Sequence, residues 1–134
     1  MAAKSSRPDD RPREKGLPMD RLKTRADFLR AQRGVRRVTP GLTLEICPGP
    51  KDNGIRVGFT ASSKIGNAVV RNRCKRRLRA AAAEVLPLSG QRGTDYVLVA
   101  RKDTPTRPFD QLKADLAQAV RAAHLRLKPS GDER

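Results

Sequence analysis

The spacing of apolar residues changes period several times along the chain. Residues 24–34, TRADFLRAQRG, predict a short helix. Thr24 is its N-cap, Asp27 follows at the capping-box spacing, and Gly34 is a natural stop. Phe28 and Leu29 give the helix an apolar edge, while Arg25, Arg30 and Arg33 make the rest basic. The period then becomes two. Leu42, Leu44 and Ile46 alternate with Thr43, Glu45 and Cys47; Ile55, Val57, Phe59 and Ala61 alternate with Arg56, Gly58 and Thr60. Residues 48–54, PGPKDNG, have turn composition, so the two strands are expected to form an antiparallel hairpin. VRRV at 35–38 predicts a short edge strand.

From Asn67, a plausible N-cap, the pattern is helical again to about Leu86, with Pro87 expected to close it. Val70, Cys74, Leu78, Ala81 and Val85 fall on one stripe. After a loop, DYVLVAR at 95–101 is a continuous apolar run, as expected of a central strand buried on both faces. A last helix is expected from about Pro108 to Leu127, with Leu112, Leu116, Ala119, Val120 and Ala123 on its apolar face. The order is α-β-β-β-α-β-α. That order predicts a single α+β domain, with helices packed on a four-stranded mixed sheet. The domain is expected to span 19–127, between polar, disordered tails at 1–18 and 128–134.

Charge changes the reading of the middle helix. The chain carries 30 Lys+Arg against 14 Asp+Glu, a net +16, which calls for an anionic partner. Six of the nine residues from Arg71 to Arg79 are basic. Like charges at i, i+4 cost an isolated helix about 0.2–0.5 kcal/mol per pair, and solvated faces usually mix signs. A presented anion-binding surface explains the run better, and Arg suits phosphate through bidentate geometry. Aromatics are only 3% of the chain, which argues against single-strand binding built on many stacked bases and favours backbone and shape recognition of structured RNA. Phe28 is the one aromatic expected to be free for a base or sugar contact; Phe59, Tyr96 and Phe109 read as core.

Candidate chemistry for bond-breaking is missing. The one histidine, His124, reads as a helix-surface or edge residue, and no carboxylate pair looks dedicated to acid–base work or to holding Mg²⁺. Cys47 and Cys74 with His124 cannot make a four-ligand zinc site, and both thiols read as small buried residues. The glycines and lysine of 58–73 do not follow the phosphate-loop spacing. The N-terminal stretch has no apolar signal region and no run is long enough to span a bilayer, so a cytoplasmic protein without a membrane partner is expected.

The stretch VGFTASSKIGNAVVRNRCKRRLRAA closely resembles the signature of the protein subunit of bacterial ribonuclease P. RLKTRADFLRAQRG is similar to that family's first helix and DYVLVAR to its fourth strand, so the likeness covers about 20–127. The resemblance implies a ribosomal protein S5 domain 2-like fold with a left-handed βαβ crossover, although such crossovers are right-handed in about 98% of cases. It also implies a monomeric RNA-binding subunit, one per catalytic RNA, in an endoribonuclease whose RNA removes the 5′ leader of precursor tRNA. By this likeness the RNA contacts fall to Lys64, Arg71, Asn72, Arg73, Lys75, Arg76, Arg77 and Arg79, and a leader-binding cleft to Phe28, Gln32, Glu45 and Thr60. The protein alone would bind no cofactor; Mg²⁺ is the RNA's requirement. Gln32 and Glu45 stand where the family often has aromatics, and Ser63 where it has a lysine. A basic ribosomal or RNA-chaperone protein and a stand-alone nuclease are the alternatives; the contiguous motif counts against the first and the missing acid–base groups against the second.

Overall fold

The computed structural model describes residues 19–49 and 54–126; the expected tails, Leu127 and most of the 48–54 turn lie outside them. The elements are β1 (Met19–Arg21), α1 (Arg25–Gln32), β2 (Val35–Val38), β3 (Leu42–Pro48), β4 (Ile55–Thr60), α2 (Ala68–Ser89), β5 (Thr94–Ala100) and α3 (Phe109–Arg126). The strands form one mixed sheet in the order β1-β4-β5-β3-β2.

Alternation in the strands gives the sheet two working faces. Leu42, Leu44, Ile46, Ile55, Val57, Tyr96 and Leu98 pack against α2 and α3, whose Cys74, Leu78, Leu86, Leu112, Leu116 and Val120 complete the main core. The opposite face carries a smaller cluster, in which Leu22, Cys47 and Val97 meet Ala31 and the half-buried Phe28 of α1. The result is three layers: α1, the sheet, and the α2–α3 pair. Burying each large aliphatic side chain contributes about 1.5–3 kcal/mol, so the side with α2 and α3 carries most of the stability.

Three expectations are corrected. The sheet has five strands, because Met19–Arg21 pairs in parallel with β4, Met19 opposite Ile55; three residues are too few to show a period. β3 and β4 do not form a hairpin. β5 lies between them, antiparallel to β3 with Leu44 opposite Leu98, and parallel to β4 with Val57 opposite Tyr96. The apolar run of β5 demands neighbours on both edges and cover on both faces, and that demand overrides the local turn signal. Finally, Pro87 lies inside α2 and not after it. Its missing N–H falls in the last turn, where buried Leu86 holds the helix on the core and the Gly90 N–H closes on the Leu86 carbonyl at 2.8 Å. Elsewhere β2 matches its expected span, and α2 supplies the crossover between the parallel neighbours β4 and β5.

Candidate nucleic-acid interface

The N-terminus of α2 is set by two residues. Gly66 has φ +157°, where a Cβ would stand 2.9 Å from the Val70 Cβ, so the turn into the helix needs glycine. Asn67 then caps the helix, its Oδ1 accepting from the Val70 N–H at 3.0 Å. Cys74 and Leu78 are fully buried beneath the basic run and fix its rotation.

The basic residues divide into two groups. Arg73 Nε donates to the Pro105 carbonyl at 3.1 Å, Arg77 donates to the Arg107 carbonyl, and the Arg79 guanidinium lies 5.5 Å from the centre of the Phe59 ring. These three brace α2 against the loop before α3 and against β4. Arg71, Asn72, Lys75 and Arg76 differ: among the described residues their side chains make no hydrogen bond or ion pair. Lys64 is exposed in the loop before α2, where its N–H donates to Ser62 Oγ at 3.3 Å. Among the residues assigned to RNA contact on α2 and the loop before it, four cations, Lys64, Arg71, Lys75 and Arg76, are thus free to meet an anion.

The other layer holds a groove of about 430 Å³. Phe28, Gln32, Glu45 and Thr60, the four residues assigned to a cleft by resemblance, all line it. Phe28 and Gln32 are one helical turn apart on α1, Glu45 comes from β3 and Thr60 from β4, with Val97 and Val99 of β5 between the strands. Phe28 can lie on the sheet because residue 58 is glycine: a Cβ there would stand 2.5 Å from Phe28 Cε1. Glu45 is 6% exposed, and burial pushes its carboxyl above the usual range, a shift that Arg36 opposes. Arg36 sits opposite Glu45 in the β2–β3 ladder. Arg36, Val97 and Val99 escaped the sequence reading. Pairing the 35–38 strand with 42–47 would have placed Arg36 beside Glu45.

An ion network at the far end of α1 fixes the groove's helix wall. Arg56 on β4 donates to both oxygens of Asp95, at 2.9 and 2.7 Å, and to both of Asp27. Arg30 bridges the same two carboxylates at 3.0 Å each. Asp95 is fully buried and Arg56 largely so, while Arg30 closes the network from the exposed side of α1. Burial pushes the Asp27 carboxyl up, but the Thr24 hydroxyl and the Arg56 and Arg30 guanidinium groups outweigh it and hold it below its ordinary value. The same carboxylates push the Arg56 pKa upward.

Other candidate chemistry is spoken for. His124 Nε2 lies 2.7 Å from the Tyr96 hydroxyl, whose oxygen accepts from the Gln91 N–H. Burial lowers the His124 pKa and pushes Tyr96 up to about 12, so a neutral imidazole and a neutral phenol share this hydrogen bond. Both cysteines are free and buried, and burial pushes their thiols up, away from nucleophilic use. Among the described residues no group of three or more His, Cys, Asp or Glu is placed to hold a metal ion, and no helix is long and apolar enough to cross a membrane. The arrangement presents two separate surfaces: free cations along α2, and on the α1 side a groove that offers one aromatic ring and several polar side chains.

A family model described as ribonuclease P matches residues 18–124. Among curated proteins, the chain is similar to the ribonuclease P protein component of Paramagnetospirillum magneticum, 46% identical over 108 residues that span 77% of this chain and 81% of that one. The corresponding protein component of Ruegeria pomeroyi is 50% identical over 106 residues, 77% of this chain and 85% of that one. Among solved structures, the RNase P protein of Staphylococcus aureus superposes with a TM-score of 0.63 at 26% identity, covering 77% of this chain and 94% of that one.

Proposed function

The chain belongs to the ribonuclease P protein family, and from that premise we propose that it is the protein subunit of the ribonucleoprotein endoribonuclease that removes the 5′ leader from precursor tRNA. The observation that carries the reading is the convergence of Phe28, Gln32, Glu45 and Thr60, from three elements, on one groove.

In this reading the two layers have separate tasks. Lys64, Arg71, Lys75 and Arg76 neutralise phosphates of the catalytic RNA, and Asn72 adds a neutral hydrogen-bonding group between them. Arg73, Arg77 and Arg79 act mainly by holding α2 in place; the exposed Arg73 and Arg79 keep further N–H groups available to the same RNA, whereas Arg77 Nε is enclosed. The groove takes the single-stranded leader: Phe28 offers a ring face for a base, and Gln32, Thr60 and Arg36 offer polar contacts to bases or backbone. The RNA carries out hydrolysis with Mg²⁺; the protein binds and orients. One protein per RNA suffices, since both surfaces belong to one chain, and the particle is cytoplasmic.

The test is a comparison of precursor and mature tRNA binding by the reconstituted particle. Phe28→Ala should weaken binding of the precursor more than that of mature tRNA. Equal losses would remove Phe28 from the leader site.

A further inference from the structure

Glu45 is an unusual residue for a groove that takes RNA. Its carboxylate is acidic where the ligand is anionic. It is 6% exposed, on the sheet face beneath α1, and among the described residues it makes no hydrogen bond or ion pair. Burial disfavours its charge, and Arg36, its ladder partner, restores only part of the loss. Its oxygens are not fully enclosed, since Arg77 Nε is the one such unpartnered atom among the described residues; they open on the groove, and a ligand that displaces solvent there must supply donors in its place. A phosphate cannot do so, since it offers only acceptors. A nucleobase edge can.

We propose that Glu45 gives the groove a base preference, selecting a guanine in the leader and disfavouring uracil; the inference rests on the reading that the leader occupies this groove. Guanine presents N1–H and N2–H side by side, a donor pair that fits the two oxygens of a carboxylate as an arginine does. Adenine and cytosine present one amino donor beside a ring nitrogen acceptor, which repels the second oxygen. Uracil presents one N–H between two carbonyls. The Phe28 ring at the groove wall offers the base a stacking face, and Gln32, one turn on, can meet a further polar edge. Arg36 neutralises the backbone phosphate brought in beside the carboxylate.

The experiment uses the reconstituted particle and precursor tRNAs whose leader is uridine alone, or uridine with one guanosine walked along it. One position should favour guanosine by at least about fivefold in affinity, the low end for a bidentate pair. Inosine at that position, which lacks the N2 amino group, should lose most of the gain. Glu45→Gln should bring the guanosine-to-uridine ratio within about twofold, and its amide, with one donor and one acceptor, should move the preference toward adenosine. Because the readout is a ratio within each protein, a general loss of affinity cancels. No favoured position in the wild type, or a Glu45→Gln variant that keeps the ratio, overturns the proposal. If the uridine leader gives no gain over mature tRNA, the leader reading itself fails; if it gives a gain that is blind to base, only the role of Glu45 falls.

Discussion

Phe28 rests on the bare backbone of Gly58: a methyl group on residue 58 would lie 2.5 Å from Cε1 and 2.6 Å from Cζ of the ring. Helix α1 and strand β4 are therefore fitted to each other through one missing side chain, and the groove wall depends on that fit. Gly58→Ala should destabilise the protein by about 1–3 kcal/mol, the usual cost of overpacking, and should weaken precursor binding as the ring is displaced. In a Phe28→Ala background the added methyl meets no ring, so the two stability losses should be clearly less than additive in a denaturation double-mutant cycle.

The free cations of α2 should be visible in salt dependence. Each phosphate contact steepens the plot of log affinity against log salt by about 0.7–0.9. Replacing Arg71, Lys75 and Arg76 together by Ala should flatten the slope for the catalytic RNA by about two to three units, with the melting temperature little changed, since these side chains make no internal bonds. Arg77→Ala should behave differently. It removes a donor to the Arg107 carbonyl and should lower the melting temperature.

The largely buried Arg56–Asp95 pair under α1 should dominate the energetics of the groove side. Asp95→Ala leaves Arg56, only 17% exposed at its side chain, short of its principal partner, which should cost about 3–5 kcal/mol in denaturant unfolding. Removing the cation as well, with Arg56→Met in the same chain, should recover part of the loss.

Stability should also depend on pH through His124. Its pKa is lowered from 6.5 in the fold, so the folded state binds fewer protons than the unfolded chain near that pH. The contribution is whole above pH 6.5 and is lost as pH falls below it. His124→Gln should flatten that limb of a melting-temperature profile. Asp27 adds an acid limb, since its lowered pKa makes its contribution whole above pH 3.8 and lost below that value. An unchanged profile between pH 7.5 and 5.5 on mutating His124 would show that the contact with Tyr96 carries no proton-linked stability.

Much of this was legible in the sequence because local signals and burial agree. Thr24 caps α1, Asn67 caps α2, and the stripe of Cys74 and Leu78 faces the core as its spacing requires. The apolar run at 95–101 predicts a central strand, and the strand found at Thr94–Ala100 is central. Partnership between strands was less legible: composition marks a reversal after residue 47, but only the competition for β5 decides that β3 and β4 are separated. The division of the basic run into free and bracing residues also escaped the sequence, because Arg73 and Arg77 find their acceptors 32 and 30 residues away along the chain. Arg56 and Asp95 look like solvent-side polar positions until α1 covers them.

The most direct measurement of the central claim is leader cleavage at low Mg²⁺ by the catalytic RNA of the same source, with and without this protein. Added protein should increase the rate of leader removal from precursor tRNA, while the protein alone cleaves nothing. No increase in cleavage on adding folded protein, or cleavage by the protein without RNA, would contradict the assignment.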